Sequence, residues 1–600
     1  MKLSDYVMRV VADEGVGHVF MLPGGGAMHL NDSLGRCPGV EYVCNLHEQA
    51  SAIAAEAYAR VTNNLGVAMV TTGPGSTNAI TGVAGAWLDS TPCLFLSGQV
   101  KRADLKGDSG LRMLGVQEID SVALVKPITK YAVTVTDPTT VRYHLEKAIY
   151  LARQARRGPV WLDFPLDVQA AQIEPDELSG FDPVAEGLEP PPVPELDASV
   201  DRLLALLRDS ERPVLLVGNG VRLAGAADRF VTLAERLGIP VLTTWLGLDL
   251  IGDDHPLHFG RPGGIAPRGA NFTLQNADCL VIIGARLDMA LTAYAHERLA
   301  RGATKVMVDI DPAEIAKMKT TIHLPIVADA AAVIDRMLER VTTTNTFCRA
   351  PWLARCREWR ERYPLVLPQH REMDDGVSMY YFSEVLSDEL HADDVLAPGS
   401  SGFASEIFFL NLKVKHGQRV FHNRGTGAMG FGLPASIGAC LASGRRRTIS
   451  VDGDGGFQMN IQELATVANL QLPLKLFVVN NRGYASIRTS QKNYFNLLVG
   501  ADDTSGMRLP DIRRVAEAYG LPTALISNRA NLRDEIRAVL DSDGPIVCEV
   551  RVPADEPRGP RVASAQRPDG SMVSKPLEDL WPFLDREEFL ANMIVPALEE

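Results

Sequence analysis

At 600 residues the chain is too long for one hydrophobic core and calls for roughly three or four domains. Its 46% hydrophobic and 22% charged residues are ordinary for a globular protein, and a formal net charge of −14 excludes the basic surface that nucleic acid or an anionic membrane demands. A phosphate-bearing ligand must therefore be met by local glycines and a metal ion.

The opening MKLSDYVMRVVADEG reads as an amphipathic helix with acidic residues, neither a secretory signal nor a transit peptide. No apolar run reaches membrane-spanning length, and the eight cysteines contain no C-x-x-C pair. These features predict a soluble cytoplasmic protein with reduced, mostly buried thiols. Short apolar strands then alternate with helices: GVAMVTTGPG, PCLFLSG and PVWLDFP, next PVLLVGNG, CLVIIGA and KVMVDID, and last TISVDGDG, LKLFVVNN and PIVCEVRVP. The fold class expected is α/β, with parallel sheets covered on both faces. The proline-rich acidic stretch 174–196 reads as a linker, and 342–351 as a weaker one. They divide the chain into α/β units at about 1–175, 195–340 and 355–555, followed by a tail, 556–600. The tail segment LEDLWPFL is too apolar to stay in water and is expected to dock, with Trp581 and Phe583 closing over the active-site mouth.

Ligands of open parallel sheets sit at the carboxyl ends of strands, so the glycine turns there carry the chemistry. VDGDGGFQMNIQELATVANL is followed by LKLFVVNNRGY, with 24 residues between GDG and the asparagine pair. A strand ending at Asp454, one helix and a second strand fit that gap as a βαβ crossover. Asp454, Asn481 and the Gly483 carbonyl then converge as a hard-oxygen set suited to Mg²⁺ or Ca²⁺. Gly453, Gly455 and Gly456 let a diphosphate approach the backbone. Each dipeptide alone is an ordinary turn; the spacing and flanking strands make the combination specific.

This combination resembles the thiamine diphosphate (ThDP) motif, and residues 3–555 resemble the ThDP-dependent acetolactate synthase and pyruvate oxidase family. HEQASAIAAEAYAR is similar to the helix carrying the family's essential glutamate, here Glu48, while Glu56 reads as an i,i+4 ion pair with Arg60. TTGPGSTN, with Thr72 and Asn78, and GTGAMGFGLPASIGA, with Gly427 and Met429, are similar to cofactor-facing segments, and VDIDPAEIAK to the middle-domain signature. The resemblance implies a pyrimidine-binding domain, a middle domain and a diphosphate-binding domain. It also implies an active site between subunits: a homodimer at least, with a tetramer as the larger assembly. ThDP and Mg²⁺ are implied as cofactors. Glu48 would bond the pyrimidine nitrogen, its burial among small residues favouring the acid form. Met429 would wedge the bent cofactor and the Gly427 carbonyl would accept its amino group. Pro23, Gly24, Gly399, Ser400, Ser401 and Tyr484 complete the ThDP set.

FAD is implied by the recurrence of flavin-contacting positions at Gly218, Asn219, Gly220, Thr244, Trp245, Leu246, Gly260, Arg261, Gly263, Gly284, Arg286, Asp309, Ile310 and Asp329. Gln117 and Lys130 match catalytic-pocket positions, and His29, in a loop of PGGGAMHL, is a candidate for catalysis or acceptor binding. The chain departs from family synthases at Ala290, where they carry the arginine that holds an acceptor carboxylate, and at Ser490, where they carry a tryptophan. Val116 replaces a phenylalanine beside Gln117. The reaction expected is decarboxylation of pyruvate and addition of the hydroxyethyl carbanion to a larger uncharged ketone, aldehyde or keto sugar, with Arg261 as a substitute for the missing arginine or a hydroxyl contact. The alternatives are a strict acetolactate synthase, a pyruvate oxidase or C–C hydrolase, and a non-enzymic module of the same fold.

Overall fold

Three parallel sheets organise the chain in the computed structural model, which describes residues 1–189, 193, 195–400, 402–566 and 572–598. Part of the expected linker (190–192 and 194) and the candidate Ser401 lie outside the described residues. The first sheet holds β1 (His18–Met21), β2 (Glu41–Cys44), β3 (Gly66–Val70), β4 (Cys93–Gln99), β5 (Tyr131–Thr134) and β6 (Val160–Pro165), in the order β2-β1-β3-β4-β6-β5. The second holds β7 (Pro213–Val217), β8 (Val241–Thr243), β9 (Cys279–Ile283), β10 (Thr304–Asp309) and β11 (Leu324–Val327), in the order β11-β10-β9-β7-β8. The third holds β12 (Val395–Leu396), β13 (Arg419–Val420), β14 (Thr448–Gly453), β15 (Leu474–Asn480), β16 (Thr523–Ile526) and β17 (Ile546–Arg551), in the order β13-β12-β14-β15-β17-β16. Central strands such as PVLLV and CLVII are buried at every position, as expected of sheets with helices on both faces.

In each sheet the strand order reverses once near its centre, opening a crevice between two carboxyl ends. The crevices lie between β1 and β3, β7 and β9, and β12 and β14. Each is lined by a glycine turn noted above: Pro23–Gly26 beside Thr71–Gly73, Gly218–Gly220 beside Gly284, and Gly399–Ser400 beside Gly453–Asp454. Backbone bonds clamp two of them, with Gly220 N–H donating to Gly284 O at 2.9 Å and Gly399 N–H to Val451 O at 3.0 Å.

Helix Glu48–Thr62 packs on helix Gly432–Ala442, joining the first and third units. A side chain at Gly438 would meet Ala54 O at 2.1 Å, so close backbone approach explains the small residues on both helices. Residues 342–351 are less linker-like than expected: Phe347 is buried and its N–H donates to Leu237 O. The following helix Ala350–Arg362 inserts Trp352, Cys356 and Trp359 into the core of the second unit.

The tail docks on that same unit. Strand β18 (Arg561–Val562) pairs with β21 (Leu580–Trp581), enclosing the short pair β19 (Ser564–Gln566) and β20 (Met572–Ser574). The apolar anchors are Leu577, Leu580 and Phe589 rather than Trp581 and Phe583; Phe583 stays 48% exposed. Asn271 Nδ2 donates to Leu577 O, and Glu578 receives Gln275 Nε2 at 2.7 Å and Arg301 Nη1 at 2.6 Å, polar ties that LEDLWPFL does not advertise. No helix among the described residues is long and apolar enough to cross a membrane.

Candidate active site

The third sheet assembles the acidic half of the site. Strands β14 and β15 are adjacent and parallel, with Gly453 opposite Val479, so Asp454 and Asn481 leave neighbouring strand ends. Asp454 accepts from Gly455 N–H at 2.9 Å and from Gly483 N–H at 3.0 Å. Asn480 is structural: its amide donates to Glu549 and its oxygen accepts from Arg482 N–H. Asn481 Oδ1 is buried without a partner, as is Asp452 Oδ2. Burial pushes both Asp452 and Asp454 up to about 7, as expected of carboxylates whose counter-charge is a ligand rather than a side chain. An unpaired amide oxygen beside an aspartate and a strand-end carbonyl is an all-oxygen set that suits a hard divalent cation better than zinc. Gly455 must be glycine, because a Cβ there would lie 2.2 Å from the Tyr484 ring.

The expected single helix after Asp454 is broken. Residues Asp454–Phe457 are α-helical, Gln458–Glu463 form a 3₁₀ segment, and Asn460 leaves helical geometry at φ −134°. Asn460 Nδ2 donates to Gly430 O at 2.8 Å, so the kink is tied to the loop that carries Met429. Met429 projects with 38% exposure, and Gly427 adopts φ 56°. Ser400 Oγ accepts from Asn423 N–H, linking the β12 turn to the same loop.

The first sheet supplies the other half. Glu48 opens its helix, is 6% exposed, and accepts from Asn78 Nδ2 at 2.9 Å. Asn78 is delivered by helix Pro74–Leu88, which starts after Gly73 turns at φ 65°. Thr72 Oγ1 lies 2.8 Å from Gln99 Oε1 and 3.2 Å from Gln117 O. Gln117 rides on a loop held by buried Glu118, which accepts N–H groups from Lys106, Leu114 and Gly115. Gln99 also bonds Asp163, whose carboxyl burial raises to about 7. Sequence reading missed Gln99, Glu118 and Asp163, although Gln99 stands at a strand's carboxyl end.

Glu56 does pair with Arg60, at 2.6 Å, and Asp89 joins them at 2.9 Å. Glu56 also accepts from Asn423 Nδ2, whose Oδ1 holds Thr426 N–H and Oγ1 just before Gly427. The second glutamate therefore positions the Met429 loop, a connection invisible in the sequence.

Two catalytic candidates are placed differently from expectation. His29 is not in a loop; it is the second residue of helix Met28–Arg36. Lys130 precedes β5, at that strand's amino end, where its ammonium donates to Gln154 O and burial lowers its pKa to about 8.

A cavity of about 640 Å³ opens at the middle sheet's crevice. Of the expected flavin positions, Asn219, Gly220, Thr244, Trp245, Leu246, Gly263, Gly284, Arg286, Asp309, Ile310 and Asp329 line it. Gly218 and Gly260 do not; a Cβ at Gly218 would strike Gly284 O at 2.4 Å, so it serves the turn itself. Arg261 is a correction. It is 4% exposed, its Nη2 is bound to Asp253, whose other oxygen lies 3.2 Å from His258, and it does not line the cavity. Ala290 lines the cavity, whereas Ser490 is exposed on helix Ala485–Phe495 with its hydroxyl on Ser486 O.

Comparison with known proteins follows the same division. Models for the N-terminal TPP-binding, central and C-terminal TPP-binding domains of thiamine pyrophosphate enzymes match residues 1–124, 200–337 and 400–550. The chain is 32% identical over 577 residues to the acetolactate synthase large subunit of Pyropia yezoensis, covering 94% of this chain and 93% of that one. It is 33% identical over 575 residues to the acetolactate synthase of Arthrospira platensis (92% and 94%). It is 32% identical over 579 residues to acetolactate synthase 2, chloroplastic, of Zea mays (94% and 87%).

Proposed function

The chain belongs to the thiamine pyrophosphate enzyme family as a C–C bond-forming enzyme of the acetolactate synthase type, and from that premise we propose a carboligase acting on pyruvate and a carbonyl acceptor larger than pyruvate. Asp454, Asn481 and the Gly483 carbonyl would hold Mg²⁺, and the turns at Gly399–Ser400 and Gly453–Gly456 would receive the diphosphate. The bound cofactor supplies the electron sink for decarboxylation. Glu48 would hold a proton at the cofactor's pyrimidine nitrogen, with Asn78 orienting that carboxyl, and Met429 would pack against the bound cofactor. Glu48 and Asn78 bond within the first unit, while Asp454 and Gly483 bond within the third. Exposed Val116, Ile487 and Phe495 near these elements support completion of the site by a second copy of the chain.

The observation that carries the acceptor reading is Ala290 in the cavity wall. Without an arginine there, an acceptor carboxylate beside the reacting carbonyl loses roughly 2–4 kcal/mol, about 30- to 1,000-fold. The test is product analysis by NMR with pyruvate and a neutral ketone or aldehyde at equal acceptor concentrations. The mixed product is expected to dominate; dominant acetolactate would establish the strict synthase instead.

We also propose that FAD occupies part of the cavity and shares it with the acceptor, supported by the convergence of so many expected positions on its lining. Purified protein is then expected to be yellow, with flavin released on denaturation. A colourless preparation that takes up no added FAD would remove the assignment. Bleaching of the flavin by pyruvate at the turnover rate would favour an oxidase. The eight unpaired cysteines and acidic composition support a cytoplasmic setting.

A further inference from the structure

No arginine stands at position 290, yet the cavity that Ala290 lines is rich in positive charge, because Arg558 and Arg561 of the C-terminal segment also line it. The backbone fixes their place. Val562 N–H donates to Gly264 O at 2.7 Å, Gly264 N–H donates to Ala290 O at 2.9 Å, and Arg561 bridges to Ile265. On the other side Arg558 Nη1 pairs with Glu406 at 2.5 Å and lies 3.4 Å from Ser486 Oγ, one turn before Ser490. The tail arginines thus line the same cavity as Ala290, with Arg558 reaching Ser486 on the neighbouring helix.

The arginines around the cavity are not equivalent. Arg558 has Glu406, Arg424 has Asp288 at 3.6 Å and the Trp245 ring, and Arg286 donates to Leu88 O. Arg561 lies 5.5 Å from the Trp581 ring centroid and, among the described residues, has no carboxylate within ion-pair distance. Burial and the neighbouring Arg558 both hold its pKa below the usual arginine value. A partly desolvated guanidinium with no directly paired carboxylate among the described residues, with Glu406 and Tyr494 acting on it from a distance, is incompletely balanced, and its planar fork fits a carboxylate or phosphate with two parallel bonds.

We infer that Arg561 is a specificity-determining residue that binds an oxyanion, carboxylate or phosphate, carried by the acceptor in addition to its reacting carbonyl. This rests on the carboligase reading above and deepens it: the acceptor is uncharged beside Ala290 and anionic at the tail.

The test uses the full-length holoenzyme with saturating pyruvate and paired acceptors, glyceraldehyde against glyceraldehyde 3-phosphate and butanal against succinic semialdehyde, whose anionic groups are remote from the reacting carbonyl. Wild type, Arg561→Gln and Arg561→Lys are compared for kcat/KM, for bound flavin, and for acceptor binding without pyruvate by tryptophan fluorescence, which Trp581 beneath Arg561 reports. Arg561→Gln is expected to lower the anionic-to-neutral ratio of kcat/KM by about 10- to 100-fold, mainly through KM, with partial recovery in Arg561→Lys. The phosphate and carboxylate pairs show which oxyanion is read. Arg561→Met, which preserves apolar contact with Trp581, replaces the glutamine variant if that fails to fold. An unchanged ratio in a folded variant overturns the inference, and so does loss of flavin with an unchanged ratio, which would give Arg561 to the flavin. If the wild type ligates no acceptor yet binds anionic ones through Arg561, the carboligase reading falls and the oxyanion site stands. If it ligates neutral acceptors and does not bind anionic ones, the oxyanion site falls alone.

Discussion

Asp454→Ala is expected to abolish metal-dependent retention of ThDP while the protein stays folded. Asp454 is the one carboxylate of the proposed Mg²⁺ set, and losing it leaves the cation without its protein counter-charge and the diphosphate without the cation that would tie it to the protein. Removing one partner of a buried charge pair costs about 3–5 kcal/mol, more than 100-fold in affinity. Calorimetric titration of ThDP with and without Mg²⁺ measures the loss, and near-normal affinity would refute the assignment. The fold should tolerate the change, because the bonds forfeited are local ones from the N–H groups of Gly455, Gly483 and Arg482. The same carboxyl predicts a pH effect on metal-free protein. Its pKa is raised by burial from 3.8 to about 7, so the native state binds the proton more tightly than the unfolded state. Stability of the stripped protein therefore falls as pH rises from about 4 to 7, and Mg²⁺ with ThDP should erase that slope in thermal melts.

Glu48→Gln is expected to bind ThDP and yet slow exchange of the cofactor's C2 proton by about two to four orders of magnitude. Glutamine can still accept from Asn78 through its amide oxygen, so the helix start and its neighbour should be undisturbed. What it cannot do is exchange a proton with the pyrimidine nitrogen. Deuterium exchange at C2, followed by NMR after acid quench, reads this step directly. An unchanged rate would move the role elsewhere. Glu56 is a poor substitute, since it is buried on Arg60 and Asn423.

Which parts of this arrangement were legible in the sequence follows from what each depends on. Strand ends were legible because parallel strands buried on both faces are near-continuous apolar runs, and the chain must punctuate them with Gly, Asp or Asn to turn. The pairing of Asp454 with Asn481 needed only a crossover length. Side-chain partners from other elements were not legible. Arg261 looked available until Asp253 was found beneath it, and Asn460 looked like a helix interior until the carbonyl of Gly430 claimed its amide. Weak punctuation also hid β1, β2, β5, β8 and β16, which are short, and β2, β5 and β16 mix exposed or half-buried positions into the pattern. Trp581 and Phe583 misled for another reason: large rings mark a segment that must dock, but the smaller Leu577 and Leu580 fit the available groove.

The docking of the last residues on the middle unit also sets an order of events during biosynthesis. Phe272, Trp352 and Trp359 share one apolar cluster with Leu577 and Phe589, and Asn276 holds the N–H groups of Ile594 and Val595. A ribosome reaches that partner roughly 250 residues after finishing the middle sheet, a delay of about 12–50 s at ordinary elongation rates. Throughout that interval the nascent chain lacks the groups that cover Phe272 and Trp359 from the tail side, Phe589 and Asn592. The unit built second is therefore the last to close, and a message cut short anywhere before the final helix yields a chain whose first and third units can fold around a middle that is still a client for chaperones.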